Sequence, residues 1–195
     1  MSLSLRYMCG RFTLKNKGQV QELTGEIIEE NYNVAPSSPI LTITDVTMWR
    51  KWSYSPSWAK EPMNLINARS ETLREKPSFK ESKPCLVLAD GWYEWKRVGE
   101  VKQPYYFHMN NQMFYFAGIY NESGCALLTK EANRKLKPIH HRMPIILKHN
   151  EARDFLNGKD RFGSSMSMRI DFYPVDRMMN SPRVNNKKNI EQCNI

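Results

Sequence analysis

The sequence predicts a single α+β domain with a mainly antiparallel, curved or barrel-like β core and a few peripheral helices. Two observations carry this. Short β-branched and aromatic runs recur between Gly, Pro, Asn and Asp turns, and helical spacing of apolar residues appears in only a few places. No repeat or linker divides the 195 residues, a length that suits one domain with a proper core. No apolar run approaches the roughly 20 residues of a membrane span, and there is no signal-peptide core. The four cysteines, Cys9, Cys85, Cys125 and Cys193, are far apart and lack C-x-x-C spacing. That argues against structural zinc or a disulfide scaffold and for a reducing, cytoplasmic compartment. A formal net charge of +9 favours a polyanionic partner.

Each element follows from local pattern. Residues 1–7 read as an extension before the fold: a tag, a miscalled start or a propeptide, since Met8 offers a second start. Residues 11–14 read as a first strand. Val20, Leu23 and Ile27 fall at helical spacing and predict a helix over 17–30, which Gly25 weakens. Residues 31–39 read as a loop because Pro36 and Pro39 fix φ and oppose regular structure. Residues 40–46 and 48–52 read as a hairpin, and 53–62 as an aromatic, proline-rich loop. A short helix over 70–75 should stop before Pro77. Residues 85–88 and 92–97 read as strands on either side of an Asp90-Gly91 turn. Residues 105–108 and 113–120 should pair across Asn110-Asn111. Residues 126–128 read as a strand entering a helix over about 129–136, and 143–147 as another strand. Asn150 should cap a helix to about Leu156, 172–175 should form the last strand, and the polar tail from 185 should fray.

Five stretches carry possible chemistry. In Met8-Cys9-Gly10-Arg11-Phe12, a cut after Met8 would leave Cys9 with an α-amine and a thiol on adjacent carbons. An amine condenses with an aldehyde to a Schiff base, and the adjacent thiol closes on the same carbon as a five-membered thiazolidine. The plainer reading of Cys9 is a small packing residue in the first strand. Asn67 and Arg69 are two apart, so an extended backbone sets them on one side; the plainer reading is an exposed loop. Glu94 lies among Trp92, Tyr93 and Trp95, and apolar surroundings raise the pKa of an acid into a range useful for proton transfer. Its plainer reading is a solvated strand residue. His140-His141-Arg142 sets imidazoles beside a guanidinium at the entrance to a strand, where a lone histidine is usually structural. Trp52 to Lys60 offers aromatics and a cation, which can stack on unpaired bases and contact phosphate, or pin a loop to the core.

In this order and spacing, six segments resemble one family: Cys9-Gly10-Arg11-Phe12, Tyr32-Asn33-Val34-Ala35-Pro36, Pro56-Ser57-Trp58, Asn67-Ala68-Arg69-Ser70-Glu71, Ala89-Asp90-Gly91-Trp92-Tyr93-Glu94-Trp95 and His140-His141-Arg142-Met143-Pro144. The family is that of the SOS-response-associated peptidase (SRAP) domain, and the resemblance spans residues 8–186, leaving 187–195 as a polar tail. It implies a sensor of abasic sites in single-stranded DNA that crosslinks to them covalently through an N-terminal cysteine and removes its own leading residues. Carried over residue by residue, it implies Cys9 as nucleophile and Asn67, Glu94 and His140 around the reactive pocket. Arg11, Arg69 and Arg142 would bind phosphates, with Pro36 and Trp58 at the lesion. No metal or cofactor is implied, and the expected form is a monomer, nucleoid-associated when bound to DNA. One segment departs from the family: Trp52-Ser53-Tyr54-Ser55-Pro56-Ser57-Trp58 stands where Trp-Gly-Leu-Ile-Pro-Ser-Trp is usual. Two other readings stay open, a cysteine peptidase acting on other proteins and a non-covalent single-strand binding module.

Overall fold

The computed structural model describes residues 10–159 and 169–194. The expected extension over 1–7 and Cys9 itself lie outside the described residues. The element order is β1 (Arg11–Leu14), α1 (Lys17–Thr24), β2 (Asn31–Val34), β3 (Pro39–Ile43), β4 (Thr47–Lys51), β5 (Asn67–Arg69), β6 (Lys83–Ala89), β7 (Gly91–Val98), β8 (Val101–His108), β9 (Phe114–Asn121), β10 (Gly124–Glu131), β11 (Arg142–Pro144), β12 (Ile146–Leu147), α2 (His149–Leu156) and β13 (Asp171–Pro174). One sheet runs β13-β8-β7-β1-β2. The second runs β11-β10-β9-β6-β3-β4, with β12 on β9 and β5 on β10. Among the described strands every pairing is antiparallel except β5 beside β10. The α+β expectation holds, and the two sheets are curved without closing into a barrel.

The core lies between the sheets. Phe12, Trp92 and Phe107 from the first meet Val87, Phe116 and Leu127 from the second in one buried cluster. Trp92 stacks on Phe107 with ring centroids 5.0 Å apart and meets Phe114 and Phe116 edge-on. Each fully buried aromatic of this kind contributes roughly 2–3 kcal/mol through area removed from water. The outer face of the second sheet is covered by Ala152 and Phe155 of α2. The outer face of the first carries Tyr93, Tyr106, Val175 and Met179. A C-terminal segment straps across it: Asn33 donates to Ser181 O and Val184 O, and Trp95 donates to Asn180 Oδ1 at 2.6 Å.

Several sequence expectations need correction, each for a local reason. The first helix stops at Thr24 because Gly25 takes a left-handed conformation (φ 75°) and returns its N–H to Gln21 O, so Ile27 is left 80% exposed. Residues 31–34 are a strand, not a loop, because β1 supplies the hydrogen bonds that local sequence cannot reveal. Asn110 and Asn111 do turn the chain, both at positive φ, but they carry it from one sheet to the other, so β8 and β9 do not pair. No helix follows β10. The strand continues to Glu131 and the chain then runs through turns to His140. Helix α2 begins two residues earlier than expected, with Lys148 and not Asn150 as its N-cap, where Glu151 accepts the Lys148 N–H at 2.9 Å. The tail is not frayed: residues 187–190 form a short 3-10 helix, Asn189 is buried, and Cys193 N–H donates to Pro174 O.

The Asp90-Gly91 junction is a buried joint and not a surface turn. Asp90 accepts from Thr13 Oγ1 at 2.6 Å and from the N–H groups of Lys15 and Asn16 at 2.7 and 2.8 Å, with Lys15 Nζ 3.2 Å away. At Gly91 an added Cβ would lie 2.1 Å from Tyr106 Oη, and that ring is wedged between Tyr93 and His108. Gly91→Ala should therefore destabilise the fold by about 1–3 kcal/mol, read as a lower urea midpoint at unchanged slope. An unchanged midpoint would show that Tyr106 can withdraw freely.

Candidate functional site

Strand pleating decides which expected residues share a compartment. Side chains alternate across a strand, so Glu94 shares the inter-sheet face with Trp92, two residues before it. It is a carboxylic acid only 2% exposed. Asn67 stands beside Leu127 in the β5–β10 register, and Leu127 belongs to the same inter-sheet core. The amide and the acid thus face one space from opposite sheets. The β1–β7 register sets Arg11 opposite Tyr93, and continuing it by one residue brings buried Gly10 level with Glu94. Cys9 is one peptide bond before Gly10.

A second group assembles where β5, β10 and β11 meet. Arg69 is exposed and stands beside Thr129. The Arg142 guanidinium reaches the same threonine, donating to Thr129 O at 2.8 Å and Oγ1 at 3.2 Å. It also grips Glu71 through two parallel bonds, Nη1 to Oε1 at 2.6 Å and Nη2 to Oε2 at 2.8 Å. Glu71 accepts the Glu131 N–H as well, at 3.2 Å. The Arg142 hydrogen bond and charge hold the Glu71 carboxyl down at about 2. The stability this adds is complete above about 4.5 and is lost as pH falls through about 2, because the unfolded chain binds the proton first.

His140 hangs from the backbone of the same arginine. Its Nδ1 lies 3.1 Å from Arg142 N and 3.2 Å from Arg142 O. The amide N–H can donate only to a bare Nδ1, so the neutral ring carries its proton on Nε2. A protonated ring can instead donate to the carbonyl. Burial lowers the His140 pKa below its ordinary 6.5, with the neighbouring positive charge of Arg142 acting the same way. Near neutral pH the ring is therefore neutral and presents Nε2–H.

The remaining expected residues lie elsewhere. Arg11 is not brought to this group, since it points from β1 toward the outer face of its sheet. There it donates to Asn33 Oδ1 at 2.8 Å and reaches Met179 O and Asn180 O at 3.5 and 3.4 Å. Pro36 sits in a turn tied to Trp52, whose carbonyl accepts the Ser37 N–H and whose own N–H donates to Ser38 O. Trp52 is the tryptophan that pins its loop, donating to Ile66 O at 2.9 Å and packing on Phe12. Trp58 is instead 58% exposed. The unusual Ser53-Tyr54-Ser55 segment is held by its own side chains. Ser53 donates to Asn64 Oδ1, Tyr54 packs on Phe79, and Ser55 Oγ accepts the Met63 N–H. A cleft of about 670 Å³ opens between this loop and the β9–β10 hairpin, but none of the expected site residues lines it. Cys85 and Cys125 are excluded as nucleophiles: burial pushes the first thiol up to about 12 and raises the second well above its ordinary value. Sequence reasoning quoted Glu71 and Asp90 within motifs but assigned neither a role. A carboxylate following Arg69 by two was the available signal for the first.

Known proteins share this arrangement of strands. A solved structure from Bacteroides thetaiotaomicron has the same fold, with a TM-score of 0.69 at 24% identity over 95% of this chain and 97% of that one. The chain is 34% identical to the abasic site processing protein YoaM of Bacillus subtilis, with 96% of this chain and 99% of that protein covered. It is 30% identical to the abasic site processing protein YedK of Escherichia coli, covering 87% and 93% respectively. A family model described as SOS response associated peptidase (SRAP) matches residues 8–186, a span that runs from Met8 through both sheets and takes in Asn67, Glu94 and His140. The chain therefore belongs to the SRAP family.

Proposed function

We propose that this protein recognises abasic sites in single-stranded DNA and joins them covalently through Cys9. The observation that carries the reading is the buried Glu94 carboxyl, level with Gly10, the residue that directly follows Cys9 in the chain. The relatives named as abasic site processing proteins support the substrate class. An abasic deoxyribose equilibrates between a closed ring and an open aldehyde. His140 or Glu94 moves the proton that opens the ring. The Cys9 α-amine adds to C1′, and the carbinolamine loses its hydroxyl as water with a proton from Glu94. The Cys9 thiolate then adds to the imine carbon while the nitrogen takes up a proton. One water is released overall, and the thiazolidine leaves no free aldehyde to promote β-elimination.

Asn67 holds the sugar or the new N-terminus in the inter-sheet space. Arg69 supplies an exposed phosphate contact, and Arg142 stands beside it. Trp58 and the Pro36 turn offer surfaces for unstacked bases at the lesion. Arg11 acts from the other face of its sheet, holding β1 beneath the C-terminal strap. The chemistry requires a free α-amine, so residues 1–8 must be absent or removed first. Glu94 also helps to cut the Met8–Cys9 bond.

Intact mass decides the reading. Chain beginning at Cys9, mixed with an oligonucleotide carrying one abasic site, should gain the oligonucleotide mass less one water and keep it through denaturation. Salt-dependent binding with no mass gain would instead favour a non-covalent single-strand binding module.

A further inference from the structure

Three groups outside the reacting centre form a continuous chain: Glu71 on the turn after β5, the Arg142 side chain, and the Arg142 backbone that holds His140. We propose that Glu71 is a positioning residue, which fixes His140 through Arg142 and in doing so withholds the Arg142 guanidinium from DNA phosphate. The inference rests on the function proposed above and names a residue and a regulation that the reading does not contain.

The geometry has two consequences of opposite sign. Arg142 is only 8% exposed, and both terminal nitrogens are occupied by Glu71 and Thr129. Two parallel bonds to a carboxylate, with a third to a strand carbonyl, leave the guanidinium one orientation. The Arg142 main chain follows, because it is the β11 residue paired with Glu131, whose N–H also donates to Glu71. One carboxylate thus clamps both sides of the β10–β11 pair at the point where His140 enters. With the clamp in place, the Arg142 N–H meets Nδ1 and the ring presents Nε2–H. Without it, the peptide that selects the tautomer loses its anchor. The same clamp neutralises the guanidinium. Because the Glu71 carboxyl is half-exposed while its partner is buried, the acid can be displaced toward solvent more easily than the arginine.

Glu71→Gln keeps the size of the side chain and removes its charge, and Glu71→Ala removes the clamp altogether. Freed of its carboxylate, Arg142 should bind phosphate. Affinity for undamaged single-stranded DNA should rise roughly 3- to 10-fold at low salt, with a salt slope steeper by roughly one unit or less. The gain should vanish in Glu71→Gln combined with Arg142→Ala. At saturating abasic DNA the crosslinking rate should fall roughly 10- to 100-fold, since the group that moves the proton is no longer held in line. A purely structural role would lower affinity and rate together. The His140 tautomer gives a readout independent of crosslinking. Imidazole nitrogen shifts should report one tautomer, proton on Nε2, in the intact protein and an average of two in either variant. An unchanged tautomer, an unchanged rate or a loss of affinity would overturn the proposal. If the tautomer responds as expected but the unsubstituted chain beginning at Cys9 forms no crosslink, the positioning role stands and the proposed function fails.

Discussion

Cys9→Ala in the chain that begins at residue 9 should abolish the denaturation-resistant adduct with abasic single-stranded DNA. Alanine keeps the α-amine, so a Schiff base can still form. It has no thiol to close on the imine carbon, and the imine hydrolyses when the DNA is denatured away. Intramolecular closure of this kind is worth many powers of ten in effective concentration, so stable adduct should drop by at least ~10²-fold. None of the other cysteines can substitute. Cys85 and Cys125 are buried with raised thiol pKa values, and Cys193 is a half-buried residue without an α-amine. Borohydride added during the reaction should trap the imine from Cys9→Ala and leave the wild-type product unchanged. Gel electrophoresis under denaturing conditions, with and without reductant, distinguishes the two. An equally stable adduct from Cys9→Ala without reductant would remove Cys9 from the mechanism.

Glu94→Gln should keep DNA binding and slow crosslinking by roughly 10²–10⁴-fold. The amide fills the same volume on the inter-sheet face of β7 but cannot deliver the proton that expels water from the carbinolamine. The 2% exposure of Glu94 matters here, because a proton donor shut away from solvent cannot readily be replaced by bulk water. The variant should also retain any residues that precede Cys9. His140 should behave differently with pH. Since its pKa is lowered from 6.5, the neutral ring persists into mildly acid solution. Ring opening by His140 should therefore hold below pH 6.5 and fail only as pH drops through the depressed value. A short aldehyde that needs no ring opening should be nearly indifferent to His140→Ala and still sensitive to Glu94→Gln. Equal losses on both substrates would refute this division of labour.

The local character of most strands was legible because it depends on neighbours in sequence. The alternating run at β3 with its hairpin to β4, and the apolar and aromatic runs at β6 to β9, all act within a few positions. Misreadings fell where partners far along the chain decide. Residues 31–34 look like a proline-flanked loop, yet β1 gives them a ladder. Asn110-Asn111 has the composition of a hairpin turn, but the core between the sheets claims Phe107 on one side and Phe114 and Phe116 on the other. The tail is mostly polar, and it orders because Tyr32, Tyr173 and Pro174 give its residues hydrogen-bond partners.

The candidate site divides the same way. Sequence by itself determined the residue types that matter, a cysteine after methionine, an acid among aromatics, and an amide and an arginine two apart, and their order identified the family. Which of them act together was left to tertiary structure. Pleating decides that Glu94 and Asn67 face one compartment while Arg11, three residues from Met8, turns to the opposite face of its sheet. Whether Arg142 is an open cation or a committed one depends on Glu71, a residue 71 positions away along the chain. Periodicity carries the direction of a side chain only once register is known, and register is set by long-range pairing. Electrostatics go further still, since a charge is read by what lies against it in space.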